Sequence, residues 1–258
     1  ESPIMEAGLA AKYPEMKTYA GRGVDDPSAM VRFDRTPLGF HAMILSAHGT
    51  IYIDPYSRID VTHYISYDTR DFTPLTPKTF SEGGPSADDV VRAQEIAALI
   101  AQNPHTPTGP QLRTYRLAVG TTGEYTAFQG GTVQAGLAAV VTSVNRVDGI
   151  YEREVAVRMV LVANNNLVIY TNPSTDPYTN GSPSSLLSEN QATLDSVIGS
   201  ANYDIGHVFS TAGGGLASLG VPCRAGQKAR GETGTSSPVG DPFDVDYVAH
   251  EMGHQFGG

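Results

Sequence analysis

The sequence predicts a protein of mixed α+β or α/β class, in which a small β-rich unit precedes an α/β layer and a last helix carries the most distinctive motif. Three observations predict this arrangement. Short apolar runs between turn residues dominate the first part of the chain. Strand and helix patterns alternate from Leu112 onward. The chain closes with the pattern H-E-x-x-H-x-x-G over residues 250–257.

Composition excludes several classes of protein. The 258 residues allow one or two domains, and a hydrophobic content of 40% is enough for a core. The 27 acidic residues outnumber the 17 basic ones, which disfavours nucleic acid and anionic membrane surfaces as partners. The longest apolar run, residues 135–144, is much shorter than the roughly 20 residues that span a bilayer.

The cysteine count, the first residue and the composition bear on where the protein acts. Cys223 is the single cysteine, so no disulfide is expected within these residues, and it is either a free thiol or paired with a thiol outside them. The chain starts with Glu1 and shows no signal peptide, as expected of a processed secreted protein and equally of a chain trimmed at its start. Few Lys residues and many Thr, Ser, Asn, Gly and Tyr residues are typical of extracellular proteins.

Residues 1–72 are predicted to form the β-rich unit. Apolar runs at 30–33, 39–46, 49–54 and 63–67 predict four strands, with a hairpin turn at His48 and Gly49. His41, His48 and His63 follow no metal-ligand spacing, so structural or surface positions are expected for them. The pattern is typical of a β-meander and not of a catalytic centre.

Residues 73–110 are predicted to be a linker that contains one helix. Two stretches rich in Thr, Pro and Gly, at 71–84 and 103–110, indicate loops. Between them, Ser86 to Asp89 are suited to begin a helix that continues to Ile100.

Residues 111–258 are predicted to form the α/β layer. Strands are expected at 113–120, 154–163, 167–170 and 206–210, and helices at 132–147 and 185–198, in the order β-α-β-β-α-β. A short edge strand is expected at 216–219. Residues 223–240 are predicted to be a loop in which Lys228 and Arg230 are surface charges. The Gly-rich stretch 211–220 lacks the Lys and the Ser or Thr of a phosphate-binding loop.

The last helix is predicted to carry a metal site. The four-residue spacing places His250 and His254 on one helix face, where two neutral imidazoles can hold one Zn²⁺. Glu251 lies beside them and can take a proton from a zinc-bound water. Asp244 or Asp246 is suited to cap the helix. The alternative, a solvated helix with two surface histidines, explains neither the apolar residues before the motif nor the glycine after it.

Gly257 extends the motif. A glycine three residues after the second histidine lets the chain leave the helix in a left-handed conformation. With His250, Glu251 and His254, it resembles the signature of the metzincin zinc endopeptidases, in particular of the bacterial reprolysin-like (adamalysin-like) group. The resemblance covers residues 111–258 and includes the stretches 213–217, 228–231 and 238–249. Residues 19–23 and 52–56 are similar to the propeptide region of the same group.

This resemblance implies a metzincin-type catalytic N-terminal subdomain, with a twisted, mainly parallel mixed sheet and the zinc-motif helix last. It implies that His250 and His254 are zinc ligands and that Glu251 is the general base. It also implies that Leu216 and Ala217 lie on an edge strand that binds extended protein or peptide substrate. A Ca²⁺ ion is compatible with the group, although no residue pattern in this chain indicates one.

The third His ligand of the group would fall two residues beyond Gly258. The C-terminal remainder of the same enzyme is therefore an expected partner. These residues alone are expected to bind zinc weakly and to be inactive, because two imidazoles supply only half of a tetrahedral site.

Two functions follow as hypotheses. The first is a zinc-dependent endopeptidase that hydrolyses peptide bonds of proteins. A bacterium would secrete it as a precursor, with residues 1–72 as the propeptide and the linker as the processing region. The alternative is a non-catalytic binding or structural protein with a vestigial or incomplete zinc site. The intact Glu251 favours the first hypothesis, because a structural zinc site needs no general base.

Overall fold

The computed structural model describes residues 1–71, 84, 87–102 and 111–258. Within these ranges, two five-stranded sheets form the framework, one before and one after the predicted linker. Most of the two predicted loops, 71–84 and 103–110, lies outside the described residues. No helix in the described ranges is long and apolar enough to cross a membrane. The division of the chain into 1–72, 73–110 and 111–258 stays a prediction.

The first sheet is an antiparallel meander whose strands lie in chain order. The four predicted strands are confirmed, and a fifth, missed in the sequence, precedes them after a short helix. That first strand is mostly polar or small, but its Tyr19 ring stacks on Phe33 with 4.7 Å between centroids. The elements are α1 (Ala7–Lys12), β1 (Lys17–Arg22), β2 (Met30–Thr36), β3 (Gly39–Ser46), β4 (Gly49–Pro55) and β5 (Tyr64–Asp68).

The second sheet is mixed and mainly parallel, as predicted. Its strand order is β7-β6-β8-β10-β9, and only β9, at one edge, runs antiparallel to its neighbour. The interior strand β6 is buried on both faces at its carboxyl end, as is typical of a parallel strand covered by helices. The strands are β6 (Arg113–Thr121), β7 (Val157–Leu161), β8 (Ile205–Ser210), β9 (Gly214–Ala217) and β10 (Gly231–Gly234).

The strand predicted at 167–170 is wrong. Asn165–Val168 form a turn of 3₁₀ helix, and Ile169 makes only an isolated bridge to Thr121. The side chain of Asn165 explains the difference. Its Oδ1 accepts from the Val119 amide at 2.7 Å and its Nδ2 donates to the Val119 carbonyl at 3.0 Å. One side-chain amide therefore takes the backbone hydrogen bonds of β6 that a neighbouring strand would make.

Two further boundaries differ from the prediction. The helix predicted at 132–147 continues to Glu154, so the following strand starts only at Val157. The loop predicted at 223–240 contains β10, which lies between β8 and β9. Its sequence, Gly-Glu-Thr-Gly, has no apolar side chain and therefore no strand pattern.

Lys228 is not the surface charge that was predicted. It is buried, and its ammonium group donates to the carbonyls of Ser200 and Tyr203, the second at 2.7 Å, and lies 4.2 Å from the centre of the Tyr203 ring. Arg230 is half-buried and donates from Nε to Ser218 Oγ at 3.2 Å. Both charges are thus structural, and their partners lie far away in the sequence.

The helices cover both faces of the second sheet. The helix in the linker is confirmed, and a short helix before α4 was missed. Thr122 and Thr132 begin two of the helices, because their hydroxyls accept from the amides of Tyr125 and Ala135. The helices are α2 (Ala87–Gln102), α3 (Gly123–Gln129), α4 (Val133–Glu154), α5 (Pro183–Leu194), α6 (Gly240–Phe243) and α7 (His250–Phe256).

Helix α4 lies between the first sheet and the last helix, and it is buried on almost all sides. Its apolar residues join the main core, which also contains Ile4 and Leu9 from the start of the chain. Polar side chains of α4 also bind the first sheet. Thr142 Oγ1 donates to Asp34 Oδ1 at 3.0 Å, and Glu152 pairs with the buried Arg32.

Candidate active site

The predicted motif lies on a continuous helical segment at the end of the described chain. The segment begins with α6, passes through a π-helical stretch, Asp244–Ala249, and ends with α7. It starts earlier than expected, so neither Asp244 nor Asp246 is its cap. Asp244 instead faces α4, where its carboxylate accepts from Arg146 Nη1 at 2.9 Å and from the hydroxyl of Ser143.

Arg146 connects this helix with the first sheet. It is fully buried, and its guanidinium also pairs with Asp54 of β4 and lies 4.9 Å from the centre of the Tyr52 ring. Two carboxylates therefore share one buried cation, Asp54 from the first sheet and Asp244 from the helical segment. This ion-pair cluster fixes the start of the zinc-motif helix relative to the N-terminal unit.

The two histidines of the motif converge. The Nε2 atoms of His250 and His254 are 3.1 Å apart, and their ring centroids are 4.6 Å apart. Two nitrogens bound to one tetrahedral zinc at about 2.0–2.1 Å would be separated by about 3.3 Å. His254 Nδ1 must donate to the Gly258 carbonyl at 2.9 Å, because that oxygen can only accept. Its Nε2 is therefore the nitrogen suited to bind metal, and the pair fits two ligands of a zinc ion.

The described residues bring together two candidate ligands and not three. No group of three His, Cys, Asp or Glu side chains is arranged to hold a metal ion anywhere in the described ranges. His41 is paired with Asp34 at 3.0 Å and His63 with Asp60 at 2.8 Å, in the N-terminal sheet. The third ligand expected from the resemblance stays a prediction.

Glu251 is fully buried beneath the edge strand β9. A Cβ atom placed on Gly215 would lie 2.3 Å from Glu251 Oε1 and 2.5 Å from its Cδ, so the carboxylate occupies the space that a side chain at 215 would need. The carboxylate is held between the strand and the helix, next to the two histidines in sequence.

The residues predicted to bind substrate lie in this same strand. Leu216 and Ala217 are half-exposed and pair with Glu232 and Gly231 of β10. Within the described residues β9 lies at one edge of the sheet, so an edge strand is confirmed, but it covers 214–217 and not the predicted 216–219. Its role in substrate binding stays a prediction.

The end of α7 is closed as the sequence predicted. Gly257 adopts a left-handed conformation with a φ of 97°, and its amide donates to the His254 carbonyl at 2.9 Å. The chain segment after β9 adds two hydrogen bonds, from Gly220 to His254 and from Val221 to the Gln255 carbonyl. The second histidine therefore sits on a helical turn whose carbonyls are satisfied.

Helix α2 contacts this end of the site from outside. Asp89 Oδ1 accepts from the Leu219 amide at 3.1 Å. A Cβ on Gly220 or Gly257 would come within 2.9 and 3.2 Å of Ile96 Cδ1. The linker helix is thus packed against the segment between the edge strand and the last turn of α7.

Comparison with known proteins agrees with this geometry. Residues 111–258 match the family model described as "Metallo-peptidase family M12B Reprolysin-like". The chain belongs to the reprolysin-like metallopeptidases. This membership makes it a zinc-dependent peptidase of the metzincin type, with proteins or peptides as its substrate class.

A solved structure of metalloproteinase-II from Bacteroides fragilis is similar to this reprolysin-like chain, with a TM-score of 0.43 and 13% identity. The similarity covers 93% of this chain and 71% of that one. No match is found among curated protein sequences.

Other polar residues around the site of this metallopeptidase escaped the sequence analysis. Glu232 in β10 is fully buried, and its carboxylate accepts a hydrogen bond from Ser210 Oγ at 3.2 Å. Burial raises the pKa of its carboxyl to about 8, and the nearby Glu251 adds to the rise. A single glutamate between a glycine and a threonine carried no signal that could have found it.

Proposed function

We propose that this metallopeptidase is a secreted zinc endopeptidase that is made as a precursor. One observation carries the catalytic part of the proposal: the converging Nε2 atoms of His250 and His254 lie on the same short helix as the buried Glu251. Two ligands and a carboxylate base on one helical turn are part of what metal-assisted hydrolysis requires, and the expected third ligand would complete the protein's share of the site.

The residues of the chain have separate roles in this proposal. Zinc, when bound, polarises the scissile carbonyl and lowers the pKa of a bound water. His250 and His254 would hold the ion, and His254 is oriented by its bond to the Gly258 carbonyl. Glu251 would accept a proton from the attacking water and donate it to the leaving amine. Its burial beneath β9 keeps the carboxylate in place and shielded from bulk solvent.

The edge strand supports an endopeptidase rather than an exopeptidase. An extended substrate can add to the outer edge of β9 through main-chain hydrogen bonds, and such pairing needs no chain terminus. Leu216 and Ala217 would then lie beside the scissile bond, because β9 runs directly over Glu251.

Replacing Glu251 by Gln tests the proposed mechanism. The protein should extend at least through the expected third ligand, and Glu154→Gln, at an exposed glutamate on α4, is the control. Glu251→Gln should lower the rate of peptide hydrolysis about 10²–10⁴-fold, because it removes the general base. Zinc content should stay at the wild-type level in both variants. Hydrolysis by Glu251→Gln at the wild-type rate would favour the alternative, a protein whose zinc site is not catalytic.

The proposed precursor role concerns the N-terminal unit. Some of its contacts with α4 are charged or polar, but Ile4 and Leu9 belong to the main core. A deletion of this unit therefore risks misfolding. Cleaving the folded protein in its linker avoids that problem. Peptidase activity should rise after cleavage, and unchanged activity would contradict an inhibitory role. Secretion is tested by locating the product of the complete gene in culture medium or cells.

A further inference from the structure

A buried side-chain amide bridge joins the zinc-motif helix to the second sheet. Gln255, which follows His254, is fully buried. Its Nε2 donates to the Gly206 carbonyl at 2.8 Å, and its Oε1 contacts His207 Nδ1 at 2.8 Å. The other ring nitrogen, His207 Nε2, contacts Thr233 Oγ1 at 2.8 Å. The bridge therefore consists of Gln255, His207, Thr233 and the Gly206 carbonyl.

The direction of each hydrogen bond in the bridge is determined. The amide nitrogen of Gln255 points to a carbonyl, so the amide oxygen faces His207 and can only accept. His207 Nδ1 must then carry the proton, and Nε2 accepts from the Thr233 hydroxyl. A neutral imidazole with this tautomer gives a partner to the Gln255 amide, both ring nitrogens and the Thr233 hydroxyl. Burial lowers the pKa of His207 to about 4, which agrees with a neutral ring.

The backbone makes room for the bridge. Gly231 lies in β10 beside it, and a Cβ there would come within 2.5 Å of Gln255 Cδ and 2.7 Å of His207 Nδ1. A side chain at 231 would therefore displace the amide or the ring. Strands β8 and β10 together provide a site that is shaped for one glutamine from α7.

We infer that Gln255 and His207 are positioning residues for the metal site. The inference rests on the proposed function, because it assigns them the task of holding His254 in its ligating orientation. Gln255 is the neighbour of His254 on the last turn of α7, and the turn is followed at once by the left-handed Gly257. The bridge binds this turn to the sheet through two side-chain hydrogen bonds, which limits its rotation and translation.

The test uses a control glutamine on helix α5, away from the zinc-motif helix. Gln191 is also buried, accepts from the Ala229 amide at 2.8 Å and donates to Asp195 and Tyr203. It makes no contact with α7 among the described residues. Gln255→Leu and Gln191→Leu therefore remove comparable buried hydrogen bonds, but only the first releases the zinc-motif helix.

Zinc affinity and the visible spectrum of the cobalt-substituted protein are the measurements, on protein that extends through the expected third ligand. Gln255→Leu should weaken zinc binding about 10–100-fold, as is typical when the support of a metal ligand is lost, and should change the cobalt spectrum. Gln191→Leu should lower the melting temperature but leave both metal properties at wild-type values. Equal metal properties in the two variants would overturn the inference.

A second variant changes the residue of the bridge that lies on the sheet. His207→Phe keeps an aromatic ring beside Phe209 but removes the hydrogen bond to Gln255. If His207 acts through Gln255, the double variant His207→Phe/Gln255→Leu should bind zinc as weakly as Gln255→Leu alone, because the effects of substitutions at coupled residues do not add. Independent, additive losses would overturn the inference. Wild-type protein that binds no zinc would instead refute the proposed function and leave the bridge no site to position.

Discussion

Replacing Gly215 by alanine should disable the site without removing any group that takes part in catalysis. Gly215 lies in β9 directly over Glu251. The added methyl carbon would be 2.3 Å from Glu251 Oε1 and 2.5 Å from its Cγ and Cδ. The φ of Gly215 is not positive, so an alanine costs no backbone strain at this position. The clash with the carboxylate is therefore the main effect of the substitution.

The size of the effect follows from these distances. Non-bonded carbon and oxygen atoms pack at about 3.5 Å, so the carboxylate or the strand must move by about 1 Å. A displacement of about 1 Å at a catalytic group can cost about 10²-fold in rate. The overpacking itself should destabilise the fold by about 1–3 kcal/mol. If β9 moves instead of Glu251, the substrate strand moves with it, and the rate falls for the same geometric reason.

Gly213→Ala is the matched control. A Cβ on Gly213 meets no atom within 4 Å, and its φ is likewise not positive. Both variants should be compared with wild type by kcat/KM on a peptide substrate, by zinc content and by melting temperature. Gly215→Ala should lose activity and retain zinc, and Gly213→Ala should keep both. Equal activity in the two variants would show that Glu251 does not occupy the space beneath Gly215.

Two further substitutions test buried charges. Arg146→Met should lower the free energy of unfolding in urea by about 3–5 kcal/mol, because Asp54 and Asp244 lose their shared cation. The control Arg153→Met removes an exposed ion pair with Glu154 and should lower it much less. Equal losses of unfolding free energy in the two variants would contradict a buried ion-pair cluster at Arg146. Glu232 has a folded-state pKa of about 8, above its unfolded value, so it contributes stability that is lost as the pH rises from about 4 to about 8. Glu232→Gln should reduce this loss of stability with pH. The same dependence of the unfolding free energy on pH in the variant and in the wild type would contradict a raised pKa for Glu232.

The chemistry of the site could be predicted from the sequence because it depends on local spacing. A four-residue interval fixes two imidazoles on one helix face, whatever surrounds the helix. Gly257 could be recognised for the same reason, since a left-handed helix end favours glycine. The structure places His250, Glu251 and His254 as the spacing predicts, although their catalytic roles stay a prediction.

The elements that hold the helix in place could not be predicted, because their signals are not local. β10 is a strand with no apolar residue, and its polar side chains are buried by partners on β8 and α7. The strand predicted at 167–170 does not form, because the side-chain amide of Asn165 hydrogen-bonds to the backbone of Val119, 46 residues earlier in the chain. Patterns of hydrophobicity cannot show that a polar group has a distant partner.

The same reasoning explains where this fold places its buried polar residues. A zinc-motif helix must expose two imidazoles and still keep a fixed position, so it cannot be anchored by apolar packing on every side. Arg146 anchors the start of the helical segment through Asp244, and His207 anchors its end through Gln255. Apolar contacts tolerate small displacements of one element against another, whereas a buried hydrogen bond at 2.8–2.9 Å is lost when its partners move apart. Polar anchors at both ends therefore specify the position of the helix between them, which is the property that a metal site requires.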